Sequence, residues 1–401
     1  MKIIKIITAV IAAITVLSLA SCGESDGEKE TTVPETTQAH KTTSPETTQA
    51  HKTTSAPETI PVPETNPEDI NLGDPEYSSR YTEGLEFVLN DKEDEYTVSG
   101  YSGSDTNVMI PRIYKGVPVT TVGERAFLDS TAVKSIKLPD SVSVIGHSAF
   151  RGCTALADIE LPDSVISIGA LAFSGCTSLE KVDIPSSVTG IANQLFYGCT
   201  SLERVTVPEG VSYIGDAAFY ECSALEKIDI PDSAKNIEAH AFRNCTSLTG
   251  IAVPKGVLTI GYAAFSGCSA LASVTLEEGL ASIGGFAFND CAALSEITIP
   301  ETVVIIDEHA FKDCTALNSL KLPNGISSVS EGLVFGCKAL NTISLPAVDC
   351  INEAALQGCT ALKNIYFDGS TAQWRTLLKG KDWSDGIGSY TVHCTDGEIK
   401  K

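Results

Sequence analysis

FSGCTSLEKVDIPSSV spans Phe173 to Val188, and FYGCTSLERVTVPEGV restates the same frame from Phe196 to Val211, 23 residues on. In the first copy Val182 and Ile184 alternate with Lys181 and Asp183. That is period two, a short strand with one face buried. Pro185 ends the strand, since its ring nitrogen has no hydrogen for the next ladder bond. Val188 and Ile191 turn the chain back to the same interior. Phe stands at positions 127, 150, 173, 196, 219, 242, 265, 288 and 311. Cys stands at 153, 176, 199, 222, 245, 268, 291, 314 and 337, then at 359. Pro stands at 139, 162, 185, 208, 231 and 254, yields to Glu277, and returns at 300, 323 and 346. A fixed short period of this kind marks a solenoid. One coil cannot close its own core. Stacked coils can, with strands about 4.8 Å apart in a parallel sheet.

The rest of each coil follows from the same frame. Gly146, Gly169, Gly215, Gly261 and Gly284 fit a tight turn after the second inward stretch. The following ALAFSGC (170–176) predicts a short 3₁₀ or α turn with Phe173 inside. Stacking places the cysteines in one internal column, where a small, apolar residue suits a crowded turn beside Phe. The thiol would also donate weakly to a turn carbonyl, and Ser130 takes that place in the first coil. Disulfides between rungs are the sharper alternative. They are disfavoured because parallel Cβ atoms at strand spacing lie wider apart than the usual ~3.5–4.5 Å. Val334 and Leu356 replace Phe, which predicts looser packing near the C-terminus. The junction SLPAVDCINEAALQGC (344–359) is one residue short and leaves Cys350 out of column, with Cys359 and Cys394 as candidate disulfide partners.

Upstream, MKIIKIITAVIAAITVLSLASC (1–22) has a basic start, an apolar run and small residues before Cys22. This is a secretory signal pattern, and Leu19-Ala20-Ser21-Cys22 resembles a bacterial lipobox, in which Cys22 would receive the lipid. An uncleaved membrane anchor is the alternative. ETTQAHKTTSP (35–45) and ETTQAHKTTSA (46–56) form a tandem repeat in a Thr/Pro-rich stretch. Such a stretch buries too little apolar surface to offset chain entropy and favours extended conformations. The expected layout is a signal peptide over 1–21 and a lipid-anchored stalk over 22–79. An N-terminal β cap (80–118), the solenoid (119–367) and a C-terminal cap (368–401) follow.

IPSSVTGIANQLFYGCTSL (184–202) and its copies resemble the BspA-type leucine-rich repeat of bacterial surface proteins. The flanks resemble that family's ends: a hairpin cap around the acidic tip Asp91 to Glu95, and a C-terminal cap in which Ser370 and Gln373 form a capping box. A short helix ending near Gly380 and a closing strand from Tyr390 to Cys394 would complete the latter. The resemblance implies a β-solenoid of leucine-rich repeat type, a right-handed array of about eleven 23-residue coils with a parallel β-sheet. It also implies adhesion: binding of extracellular protein or glycan at the bacterial cell surface.

The remaining signals bear on chemistry. Lys and Arg total 28 against 51 Asp and Glu, a net charge of −23, which repels nucleic acid and anionic lipid. The membrane is therefore expected as a partner only through the lipid anchor. No nucleophile elbow, zinc-protease helix, P-loop or dinucleotide fingerprint occurs, so no enzyme, cofactor or metal is expected. His240 and His309 share a repeat position three coils apart, about 15 Å at strand spacing, too far to share a metal. The outward column of the main strand, from Lys137 to Tyr366, is small and polar, and poor in anchoring residues. The best surface patch is the tyrosine group Tyr197, Tyr213, Tyr220 and Tyr262. Trp374 and Trp383, the only two tryptophans, seal the last coil or form an alternative sugar site. The leading expectation is a monomeric, non-catalytic adhesion module. Its rivals are a carbohydrate-binding accessory of a surface polysaccharide-degrading system and a structural spacer.

Overall fold

A computed structural model describes residues 81–401. The signal pattern, Cys22 and the Thr/Pro stretch lie outside the described residues. Each repeat is one coil with two short strands and a stretch of turns. The first strands stack as the main sheet: Ser135–Lys137 beside Asp158–Glu160, Lys181–Asp183 beside Arg204–Thr206, Gly250–Val253 beside Ser273–Leu276. All are parallel and in register one repeat apart. Their central residues, among them Ile159, Val182 and Val205, point inward and are buried. The second strands, such as Tyr213–Ile214, Asn236–Ile237 and Thr259–Ile260, form another parallel sheet. Their inner isoleucines close the core from the other side.

The stretch around each Phe differs from the expected 3₁₀ or α turn. Its backbone donors alternate between two destinations. Leu171, Phe173 and Gly175 donate to the carbonyls of Asn193, Leu195 and Tyr197 in the next coil, at 3.1, 3.0 and 2.7 Å. Ala172, Ser174 and Cys176 donate back three residues within their own coil, at 3.3, 3.0 and 3.1 Å. The turns are thus a third stacked wall with its own ladder. The alternation requires left-handed backbone at Leu171 (φ 60°) and Gly175 (φ 73°). The second of these positions holds Gly or Asn/Asp in most coils, the residues that enter this region at least cost. The column of Gly146, Gly169, Gly215, Gly261 and Gly284 has a different purpose from the one expected. None of these has positive φ. A Cβ on Gly169 would lie 2.6 Å from the His147 nitrogen and 2.7 Å from the Gly146 carbonyl carbon. These glycines allow neighbouring coils to approach.

Inside, the phenylalanines from Phe127 to Phe311 form an unbroken stack with centroids 5.2–5.6 Å apart. Tyr101 of the N-terminal cap lies on its first ring at 5.4 Å. Val334 and Leu356 continue the column, fully buried. Every column cysteine donates its Sγ–H to a carbonyl of the coil before: Cys176 to Phe150 at 3.2 Å, Cys222 to Phe196 at 3.2 Å, Cys359 to Val334 at 3.1 Å. The thiol is therefore a rung-to-rung hydrogen bond as well as a packing group. Cys350 is buried in the second sheet, its Sγ 3.6 Å from Asn352 Oδ1.

The caps extend the coil. Tyr96–Tyr101 pairs in parallel with Val117–Val122, and Asn107–Met109 with Ser135–Lys137. At the other end Leu378–Lys379 pairs with Cys350–Ile351 and Thr391–Cys394 with Asn364–Phe367. The solenoid consequently has about 13 turns rather than about eleven. The capping box at Ser370 and Gln373 starts a helix at Thr371–Thr376. That helix stops short of Gly380 because the next residues enter the second sheet. Gly397–Lys400 folds back antiparallel on the closing strand, a hairpin that the alternation of Tyr390 to Cys394 alone does not announce.

Candidate functional surface

With a packed column of rings and thiols at its centre, the solenoid offers its outside. Burial pushes the thiols up, Cys153, Cys199 and Cys268 to about 12, so they are poor nucleophiles and metal ligands at neutral pH. Among the described residues no group of three His, Cys, Asp or Glu is placed to hold a metal ion. A shallow depression of about 350 Å³ opens on the main sheet beside Ile297 and Thr298. Of its lining charges, Glu301 and Lys321 pair at 3.1 Å and Glu278 remains beside them.

The four tyrosines of the expected patch separate into three places. Tyr197 and Tyr220 follow the column Phe on adjacent coils, and their rings stack at 4.7 Å with planes 4° apart. Tyr197 is 36% exposed, and burial, then Tyr220, raises its phenol pKa. The next coil puts Arg243 in the same column, its guanidinium 5.8 Å from the Tyr220 ring. Tyr213, 40% exposed, stands outside the second sheet over Gly190, where a Cβ would meet its ring at 2.3 Å. Tyr262, 46% exposed, lies against His240 at 5.5 Å and Phe286 at 5.5 Å. Phe286 in turn stacks on His309 at 4.7 Å. His240 also meets Asp216 at 3.5 Å.

Arg243, His240, Phe286 and His309 were absent from the expected patch. A signal existed for all four: Arg243 stands 23 residues after Tyr220, and His240, Phe286 and His309 are whole multiples of 23 apart, so each shares a column. Tyr262 occupies the neighbouring column and links the ladder only in three dimensions.

The tryptophans face inward. Trp374 is 5% and Trp383 9% exposed. They meet edge to face at 6.0 Å, and Phe367 and Tyr390 flank them. Lys379 and Lys401 lie over them at 4.8 and 5.6 Å. As an alternative sugar site they present no open ring face. Lys379 donates to the Trp374 and Leu377 carbonyls at 2.7 and 3.0 Å, and burial, with Lys401 adding, lowers its pKa.

A family model described as the BspA type leucine rich repeat region, in 6 copies, matches residues 120–249 and 235–363. No curated protein matches the chain. Among solved structures, a leucine rich cell surface protein from Faecalibacterium prausnitzii A2-165 is 31% identical, with 75% of this chain and 97% of that one covered and a TM-score of 0.48. A leucine rich repeat protein of T. pallidum is 30% identical over 53% of this chain and 88% of that one, TM-score 0.40. A leucine-rich repeat protein from Bacteroides ovatus ATCC 8483 is 26% identical over 79% and 100%, TM-score 0.43.

Proposed function

The chain belongs to the BspA-type leucine-rich repeat family, and on that premise we propose that it is a non-catalytic binding protein of the bacterial cell surface. Its lipid anchor is Cys22, its Thr/Pro stretch is the stalk, and the outside of the solenoid grips an extracellular protein or glycan. The observation that carries this reading is the filled interior: rings and thiols occupy the core from Phe127 to Cys359, leaving the exposed columns as the part that varies between coils. A repeat surface of this kind suits an extended ligand spanning several coils, with modest affinity per coil.

Two measurements test the reading. Metabolic labelling with a fatty acid should mark the wild type and leave Cys22→Ala unmarked; equal labelling would remove the lipid anchor from the account. Surface display of the full chain should confer saturable retention on immobilised extracellular-matrix protein or surface polysaccharide. A folded, displayed chain that retains neither would favour the spacer.

A further inference from the structure

In the column that follows the core Phe, Tyr197, Tyr220 and Arg243 stand on successive coils, bounded by Ser174 and Ser266. The same column carries a second aromatic–cation pair, Lys312 over Phe335 at 5.5 Å, but among the described residues it has a stacked pair of rings only here. Tyr220 lies between the Tyr197 ring, 4.7 Å away and parallel, and the Arg243 guanidinium at 5.8 Å. Both faces of Tyr220 are therefore covered by its own protein. A sugar binds an aromatic side chain through an open ring face. Tyr220 leaves no face for such stacking, and beside the exposed Tyr197 ring the ladder offers ring edges, phenol hydroxyls and a guanidinium.

Arg243 is also unusual electrostatically. The chain has 51 carboxylate side chains against 28 cationic ones. Yet among the described residues no carboxylate lies within ion-pair distance of Arg243. Its Nε is buried without a hydrogen-bond partner. The guanidinium lies against the Tyr220 ring, and a planar fork packed on a ring loses less freedom on bidentate pairing with an incoming carboxylate. Tyr and Arg are also the side chains that most often carry binding energy at protein interfaces.

We propose that the Tyr197–Tyr220–Arg243 ladder is the docking point for an extended polypeptide segment that places an Asp or Glu carboxylate on Arg243 and packs its neighbouring side chains across the tyrosine edges. The two coil steps from Tyr197 to Arg243 span about 10 Å, the length of roughly three extended residues. The proposal rests on the binding-protein reading and narrows it to a polypeptide partner and to one column.

The test uses the full chain and a displayed library of short random peptides. Selection should enrich peptides bearing Asp or Glu. A synthetic copy of the strongest should lose roughly tenfold in affinity when its acid becomes the amide, and a similar factor when Arg243→Gln is used instead. The two changes together should cost little more than either alone, because they remove the same pair. Tyr197→Ala with Tyr220→Ala should weaken the same peptide without lowering the unfolding temperature.

Peptides that bind Arg243→Gln with wild-type affinity would overturn the site while leaving the binding-protein reading standing. Retention of polygalacturonate through Arg243, with no acidic peptide selected, would overturn the polypeptide partner in favour of an acidic glycan. A folded chain that holds neither peptide nor polysaccharide would overturn both the site and the reading beneath it.

Discussion

Raising the pH should unfold this protein through its cysteine column. The ten thiols from Cys153 to Cys337 and at Cys359 are buried. Loss of solvation is the main cause that raises nine of them above the ordinary value of 9.0, three to about 12, while Cys337 is raised first by its hydrogen bond with Cys314 and then by burial. For Cys176 and Cys222 the neighbouring thiols add to the shift. In the unfolded chain the same groups ionise at the ordinary value. Above it the unfolded state holds fewer protons than the folded one, so stability falls as pH climbs. The stabilising window ends near pH 9, and the loss continues to the folded values. One unit above the unfolded pKa each thiol costs about 1.4 kcal/mol. Ten together cost on the order of 10 kcal/mol, comparable with the total stability of about 5–15 kcal/mol usual for a domain. Thermal unfolding followed by circular dichroism between about pH 7 and pH 10 would expose the slope. Lysines also titrate near the top of that range, so the comparison is with Cys222→Ala plus Cys245→Ala. That variant should lose about 2.8 kcal/mol less than the wild type between about pH 7 and pH 10. Parallel pH curves for the two proteins, or thiolate absorbance appearing near pH 9 before the fold is lost, would refute the reasoning.

Substitutions at three positions probe the walls and the core. Cys222→Ser puts a more polar hydroxyl where Sγ now meets the Phe196 carbonyl at 3.2 Å, and should cost roughly 1–3 kcal/mol in chemical denaturation, with Cys222→Ala costing less. Phe242→Ala removes a ring held between Phe219 at 5.2 Å and Phe265 at 5.3 Å. It should cost about 3–5 kcal/mol; because each coil contacts only its neighbours, hydrogen exchange should quicken first in the coils on either side. Glu221 occupies the left-handed position, φ 59°, that glycine holds on the previous coil. Glu221→Gly should therefore raise stability by about 1 kcal/mol, and a lower unfolding midpoint would show that the carboxylate has a structural role.

How much of this was legible in the sequence depends on whether a residue's environment repeats with the period. Val182, Phe173 and Cys176 meet the same neighbours in every coil, so their spacing carries the core, the parallel register and the cysteine column. Gly169 and Gly175 both announce a special backbone, but a glycine does not say which kind. One permits close approach to His147 and the other adopts φ 73°, and only the ladder between coils separates them. The caps hid their coils for a related reason: the helix Thr371–Thr376 is inserted into a turn and stretches the period without breaking the two sheets. The proposed binding surface has the opposite character. It resides in the columns where the repeat is not kept, and there the sequence order misleads. Tyr213 and Tyr220 lie close in the chain but on different walls, whereas Tyr197, Tyr220 and Arg243 are spaced by whole coils and form one stack. A patch on a solenoid is thus defined by residues one period apart, and Arg243 enters it only when the column is followed past the last tyrosine. That same step changes the chemistry expected of the ligand. Two tyrosines alone would suit a sugar or a protein, but a guanidinium that covers the second ring closes that ring's face and adds a charge with no carboxylate in ion-pair distance among the described residues.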